Sequence, residues 1–181
     1  MLLVVDNGSV YTPSLLKCTK DLNLDFEHHV FSNMSSLNLD DYSSVILSGR
    51  RKNDSEMNII NSKLVKHSVD NNKPLLGICY GAEILALTLG GTIKKMTSPR
   101  HGLYEINITK KNHLCSGKIK GFESHSYMVS KLSSSFTSIA SSTDCKFEIF
   151  QYDDKNIFGT QFHPEMSTDG KALLERFSSI K

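Results

Sequence analysis

Short apolar runs alternating with helix-length segments predict an α/β layer fold for this chain of 181 residues, and three observations carry the expectation. Leu2 to Val5 and Leu75 to Ile78 are apolar enough to be strands buried on both faces, as in a parallel sheet covered by helices. Asn58 to Asp70 places Ile59, Ile60, Leu64, Val65 and Val69 at roughly helical spacing. Beyond Gly91 the segments shorten, and several alternate polar with apolar residues as half-exposed antiparallel strands do.

Taken in order, the first strand leads into the polar loop Asp6-Asn7-Gly8-Ser9. A helix then begins near Thr12-Pro13, with Thr12 as its cap and Pro13 in its first turn. Phe26 to Phe31 and Ser44 to Leu47 read as the second and third strands. The helix over 58–70 ends at Asn71-Asn72-Lys73-Pro74, the fourth strand follows, and Ala82 to Leu89 forms a helix closed by Gly90-Gly91. Thr92 to Met96, Leu103 to Thr109, Phe136 to Ala140, Phe147 to Tyr152 and Ile157 to Gln161 are the remaining strands. Asp169 to Ile180 is a final helix with Ala172, Leu173, Leu174, Phe177 and Ile180 on one face. No repeat or linker interrupts the chain, so residues 1–181 are expected to form one domain.

The balance of 21 basic and 19 acidic residues gives a formal charge of +2, with no run of Lys or Arg longer than three residues. That excludes an electrostatic case for nucleic acid or anionic lipid. No apolar stretch approaches the ~20 residues of a membrane span, and the N-terminus has no signal-like character, so a cytoplasmic location is expected. Cys18, Cys79, Cys115 and Cys145 show neither paired spacing nor histidines at zinc-site spacing. No disulfide framework, metal or cofactor is therefore expected. Cys18, Cys115 and Cys145 read as core or loop residues, and His28, His29, His67, His101 and His113 as surface histidines.

Two segments carry chemistry. In Gly77-Ile78-Cys79-Tyr80-Gly81-Ala82-Glu83 a strand runs straight into a helix, with glycines on either side of a thiol. A nucleophile on such a turn sits at the carboxyl end of a parallel sheet and at a helix N-terminus, where partial positive charge favours thiolate. Taken alone, the segment also suits a structural cysteine between two glycines. In Gln161-Phe162-His163-Pro164-Glu165 an imidazole stands two residues from a carboxylate; on an extended segment, which Pro164 favours, the two face the same side. His163 by itself suits a surface histidine. Together, Cys79, His163 and Glu165 make a nucleophile, a base and the acceptor that orients the base.

These two segments resemble the Gly-x-Cys-x-Gly-x-Gln elbow and the Gln-Phe-His-Pro-Glu segment of class I (triad-type) glutamine amidotransferases, and the resemblance covers nearly the whole chain. It implies a flavodoxin-like open, mostly parallel sheet with helices on both faces and an antiparallel strand extension in the second half. It implies a glutaminase in which Cys79 attacks the amide of glutamine, His163 is base then acid, and Glu165 orients it. The ammonia would pass to a separate synthase subunit that supplies ATP chemistry. Val5-Asp6-Asn7-Gly8, Ser124-His125-Ser126 and the run Ile139 to Glu148 resemble most the glutaminase subunit of archaeal-type GMP synthetase. His125-Ser126-Tyr127 and Arg100-His101-Gly102 make anthranilate synthase glutaminase the second likeness.

Three segments depart from the family pattern. Where the oxyanion strand usually ends Ser-Gly-Gly-Pro or Ser-Pro-Gly-Pro, this chain has Ser48-Gly49-Arg50-Arg51. Gly49, Arg50 and Tyr80 are the implied oxyanion-hole residues, since a hole built from backbone N–H groups tolerates a changed side chain. Glu83 replaces the elbow glutamine, beside Ser124, His125 and Ser126 in the implied substrate pocket; its carboxylate can pair with a substrate ammonium or with Arg50 or Arg51. Tyr127 stands where the GMP-synthetase pattern has an acidic residue. These departures keep two other functions open: a free-standing γ-glutamyl hydrolase or peptidase, and a regulatory subunit that has lost turnover. For the thiol, helix N-terminus and imidazolium are expected to outweigh burial, giving Cys79 a pKa below that of a free cysteine.

Overall fold

The computed structural model describes residues 1–180. Its nine strands are β1 (Leu2–Asn7), β2 (Phe26–Val30), β3 (Ser44–Arg50), β4 (Leu75–Ile78), β5 (Thr92–Ile108), β6 (Lys118–Lys131), β7 (Phe136–Ser141), β8 (Ile149–Tyr152) and β9 (Ile157–Thr160). They form one sheet in the order β2-β1-β3-β4-β9-β8-β7-β5-β6. The run from β2 to β9 is parallel, and β8, β7, β5 and β6 extend it with antiparallel pairings. The expected mostly parallel sheet with an antiparallel extension is thus the one observed.

Alternation along β1 places helices on both faces. Leu2 and Val4 pack with Leu15 and Cys18 of α1 (Thr12–Asp21) and with Leu173, Leu174 and Phe177 of α4 (Thr168–Ser178). Leu3 and Val5 face the other way, onto Met57, Leu64 and Val65 of α2 (Ser55–Asp70) and Ile84 and Leu85 of α3 (Tyr80–Thr88). No described helix is long and apolar enough to cross a membrane.

Several local expectations are corrected. Thr12 is the first residue of α1 rather than its cap: Tyr11 holds the cap position, and the Thr12 hydroxyl donates to Asp6 Oδ1 at 2.8 Å. α2 starts at Ser55 because Asp54 caps it, accepting from the Met57 N–H at 2.9 Å. The two strands expected at 92–96 and 103–109 are one strand, β5, whose register slips between Lys95 and Arg100. β8 begins at Ile149 rather than Phe147, and Ala172 faces solvent rather than the core. The long strand β6, expected nowhere, runs beside β5 at the sheet edge.

The carboxyl ends of β1 and β3 are locked to α2 by polar groups in the core. The Asn7 amide donates to the Ser48 carbonyl (3.1 Å) and to Asn61 Oδ1 (3.1 Å), and Asn61 Nδ2 donates back to Asn7 Oδ1 (2.8 Å) and to the Met57 carbonyl (2.8 Å). Removing one member leaves buried amide groups of the other unpaired. Asn61→Ala is expected to lower stability by about 1–3 kcal/mol, read as a lower denaturant midpoint at constant slope; an unchanged midpoint would show the clamp to be dispensable.

Candidate active site

The strands that carry the thiol and the imidazole are neighbours. β4 pairs in parallel with β9, the Cys79 N–H donates to the Thr160 carbonyl at 2.7 Å, and three residues later the His163 N–H donates to the Phe122 carbonyl of β6 at 2.7 Å. Both side chains thereby emerge at the carboxyl edge of the sheet, where open α/β folds hold ligands. Cys79 has φ +51° and ψ −103°, a conformation costly for a residue with a side chain. The flanking glycines make the turn possible. A Cβ on Gly77 would lie 2.4 Å from the Gly81 carbonyl group, and one on Gly81 would lie 2.3 Å from the Leu47 carbonyl oxygen.

His163 is extended, as a residue before proline should be, but Pro164 to Met166 then form a 3₁₀ turn rather than continuing the extension. That turn, and not strand alternation, brings Glu165 Oε1 to 2.9 Å from His163 Nδ1. Nδ1 therefore carries the hydrogen of a neutral ring, and Nε2 is left to accept a proton. The Tyr11 ring packs on the imidazole, 4.5 Å between centroids. Gly49 also crowds the ring: an added Cβ would come 2.9 Å from His163 Cε1.

A cavity of about 420 Å³ opens at this edge. Cys79, Tyr80, His163, Arg50, Glu83 and the run Ser124-His125-Ser126 line it, while Glu165 stands behind the imidazole. No hydrogen bond joins Cys79 Sγ to His163. The Arg50 side chain lies 4.2 Å over the Tyr80 ring, donates to Asn53 and Asn58, and reaches within 4.0 Å of Glu83 Oε2. Glu83 has thus found the arginine partner its burial calls for. Burial pushes its carboxyl above the ordinary range, and Arg50, His125 and Gln161 oppose that rise.

Residues 3–179 match the family model for class I glutamine amidotransferases. The chain belongs to that family. Among its relatives in this family, the glutamine-hydrolysing GMP synthase subunit of Thermoplasma acidophilum is 32% identical, over 98% of this chain and 90% of that protein. The corresponding subunit of Pyrococcus furiosus is 29% identical over 99% and 98%. A crystal structure of a provisionally assigned GMP synthase subunit from T. acidophilum superposes with a TM-score of 0.86 at 29% identity, covering 98% of this chain and 91% of that one. A glutamine amidotransferase from Thermotoga maritima shares the fold, with a TM-score of 0.80 at 18% identity over 99% and 98%.

In this amidotransferase the resting thiol differs from the sequence expectation. Burial pushes the Cys79 thiol well above the ordinary cysteine range, Glu83 and Glu165 push the same way, and the Tyr80 N–H and Arg50 oppose them too weakly. The expectation had the helix N-terminus and the imidazolium outweigh burial, whereas Cys79 is only 8% exposed at the elbow. Alkylation of Cys79 by iodoacetamide is therefore expected to climb at higher pH than for a free cysteine. Glu83→Gln, by removing a neighbouring negative charge, should speed it roughly threefold at neutral pH. A titration below that of a free thiol, indifferent to Glu83→Gln, would contradict this account.

Sequence reasoning missed four contributors: the Asn7–Asn61 clamp, Tyr11 on the imidazole, Gln161, and a buried charge cluster around Arg100. Gln161 stood inside the base motif as a signal. Its Oε1 accepts from the Val129 N–H at 3.1 Å, which ties the base segment to β6.

Proposed function

We propose that this glutamine amidotransferase is the glutamine-hydrolysing subunit of a GMP synthase, with residues 1–181 acting as one glutaminase domain. The observation that carries the reading is the match to the archaeal glutamine-hydrolysing subunits over nearly the full length of both chains. Cys79 and His163 at one cavity, with Glu165 behind the imidazole, support the chemistry.

Cys79 Sγ attacks the side-chain amide carbon of glutamine while His163 Nε2 takes the thiol proton. With a resting thiol held protonated by burial, this transfer belongs to the attack itself. The backbone N–H groups of Arg50 and Tyr80, with Gly49 holding the end of the same strand, receive the oxyanion. His163 then gives its proton to the departing nitrogen, ammonia leaves, and a γ-glutamyl thioester remains on Cys79. His163 next removes a proton from water, which attacks the thioester to release glutamate, and the proton returns to sulfur. Glu165 keeps the imidazole in the tautomer these steps require. Glu83, Ser124, His125 and Ser126 receive the amino-acid end. The hydrolysis itself takes glutamine and water; the ammonia it releases goes to a separate synthase subunit that supplies the ATP chemistry.

The test is ammonia release from glutamine, and GMP formation from glutamine when the synthase partner is added. Cys79→Ala should abolish both while leaving GMP formation from added ammonium salts intact. Ammonia release that survives Cys79→Ala refutes the assignment. Glu83 supports a second reading, hydrolysis of other γ-glutamyl amides by the chain alone; turnover of a γ-glutamyl panel exceeding that of glutamine, with no response to the synthase, would favour it.

A further inference from the structure

Behind the cavity wall lies a set of charges that the hydrolysis itself does not use. Arg100 is 7% exposed. Its guanidinium donates to Glu123 Oε1 (2.7 Å), Asp144 Oδ2 (2.8 Å) and Glu148 Oε1 (3.3 Å), and it covers the Tyr104 ring. Glu123, wholly buried, turns its other oxygen, Oε2, to His125 Nε2 at 2.9 Å. His125 Nδ1 lies 2.7 Å from the Tyr127 carbonyl oxygen. Burial and the adjacent Glu123 push the Glu148 carboxyl upward. Burial would raise Glu123 as well, but His125 and Arg100 outweigh it and leave that carboxyl below the ordinary range. Of the two glutamates that share Arg100, Glu123 is the one whose carboxylate its surroundings favour.

Both ring nitrogens of His125 thus face oxygen acceptors, one an ionised carboxylate and the other a carbonyl. A neutral ring has one N–H and satisfies one of them; the imidazolium satisfies both. Glu123 pairs that buried cation directly, and Arg100 fixes Glu123 in turn. On the cavity side stands Glu83, whose carboxylate is favoured by His125 and Arg50.

We infer that Glu123, gripped from behind by Arg100, is a positioning residue that holds His125 as an imidazolium, and that this fixed cation, with Arg50, keeps the Glu83 carboxylate charged to receive the ammonium of the amino-acid substrate. The inference rests on the glutaminase reading and names the end of the substrate that this wall recognises. Glu123 touches no substrate and acts only through His125 and Glu83. Its signature is a preference for a free ammonium over the same molecule with its nitrogen acylated.

The probes are diazo-oxo-norleucine, a diazoketone analogue of glutamine that alkylates a nucleophilic thiol, and its N-acetyl derivative. The ratio of their second-order rates of Cys79 labelling cancels any change in thiol reactivity, so it reports recognition of the ammonium alone. Glu83→Gln should collapse the wild-type preference for the free amine. Glu123→Gln, whose amide can still donate to His125 Nε2 but carries no charge, should reduce it on the order of tenfold. A Glu123→Gln ratio equal to wild type, or a Glu83→Gln ratio unchanged, overturns the inference. Nitrogen-15 shifts of the wild-type His125 ring near neutral pH give a readout that needs no variant to fold: two protonated nitrogens are expected, and a neutral ring overturns the inference. A wild-type Cys79 that iodoacetamide modifies but neither analogue does would refute the glutaminase reading itself, and the ring shifts would still decide the charge of His125.

Discussion

Glu165→Gln is expected to lower the turnover number for ammonia release by about 10³- to 10⁴-fold while leaving glutamine binding nearly unchanged. Glu165 Oε1 accepts from His163 Nδ1, and Oε2 is buried with no donor against it. An amide at this position has two orientations. With its NH₂ at the Oε2 site, two hydrogens would be buried among groups now packed against an anionic oxygen, a penalty on the order of 1–3 kcal/mol. With its carbonyl there instead, the oxygen sits as the present one does and the NH₂ points at His163 Nδ1. The second arrangement is favoured, and it forces the hydrogen of a neutral imidazole onto Nε2, which can then no longer take the thiol proton. Steady-state ammonia release with matched KM measurements checks this. A variant within tenfold of wild-type turnover would show that Glu165 does not set the tautomer.

The parts of this site that were legible in the sequence are those whose chemistry demands a local pattern. Gly77 and Gly81 stand where strand and helix backbones meet within the reach of a single methyl group, so the turn that presents Cys79 is written in adjacent residues. The proximity of His163 to Cys79 was legible only as a motif, since it depends on β9 lying beside β4 across some eighty intervening positions. β6 was illegible because of what it buries. Its buried positions run Ile119, Gly121, Glu123, His125 and Val129, so the inward face is apolar only towards its ends. A strand whose middle buries a carboxylate and an imidazole gives no alternation of apolar and polar residues. Arg100, Glu123 and Glu148 were hidden by the same rule, because charged residues are expected outside unless their partners are known. Those partners come from β5, β6 and the segment before β8, and only the folded sheet brings them together. The Cys79 thiol was misjudged because a helix N-terminus can be seen in sequence, whereas the depth of burial that outweighs it cannot.

Gly49→Ala should reduce turnover about 10²-fold in a protein that still folds. The added methyl would stand 2.9 Å from His163 Cε1, closer than carbon atoms approach without displacement, and a tight 3.3 Å from Ser9 Oγ. The imidazole has little room to retreat, because Tyr11 packs on it and Glu165 fixes Nδ1 from behind. Either the ring tilts and Nε2 moves from where it must meet the thiol proton, or the end of β3 shifts and with it the Arg50 N–H proposed for the oxyanion. β3 is held there by its pairing with Asn7 and by the bridge between Gly8 and Arg50, so the strain divides between the two. Both routes misplace a group that must be aligned to within a fraction of an ångström, while the hydrophobic core on either face of the sheet is untouched. The expected pattern is therefore a lowered kcat, a KM near wild type, a thermal midpoint within a few degrees of wild type, and undiminished iodoacetamide alkylation of Cys79. That last reaction uses the thiol but neither the base nor the oxyanion hole in the geometry of amide attack. If Gly49→Ala retains full turnover, the close approach of Gly49 to His163 has no part in catalysis, and the oxyanion must be received elsewhere than at the end of β3.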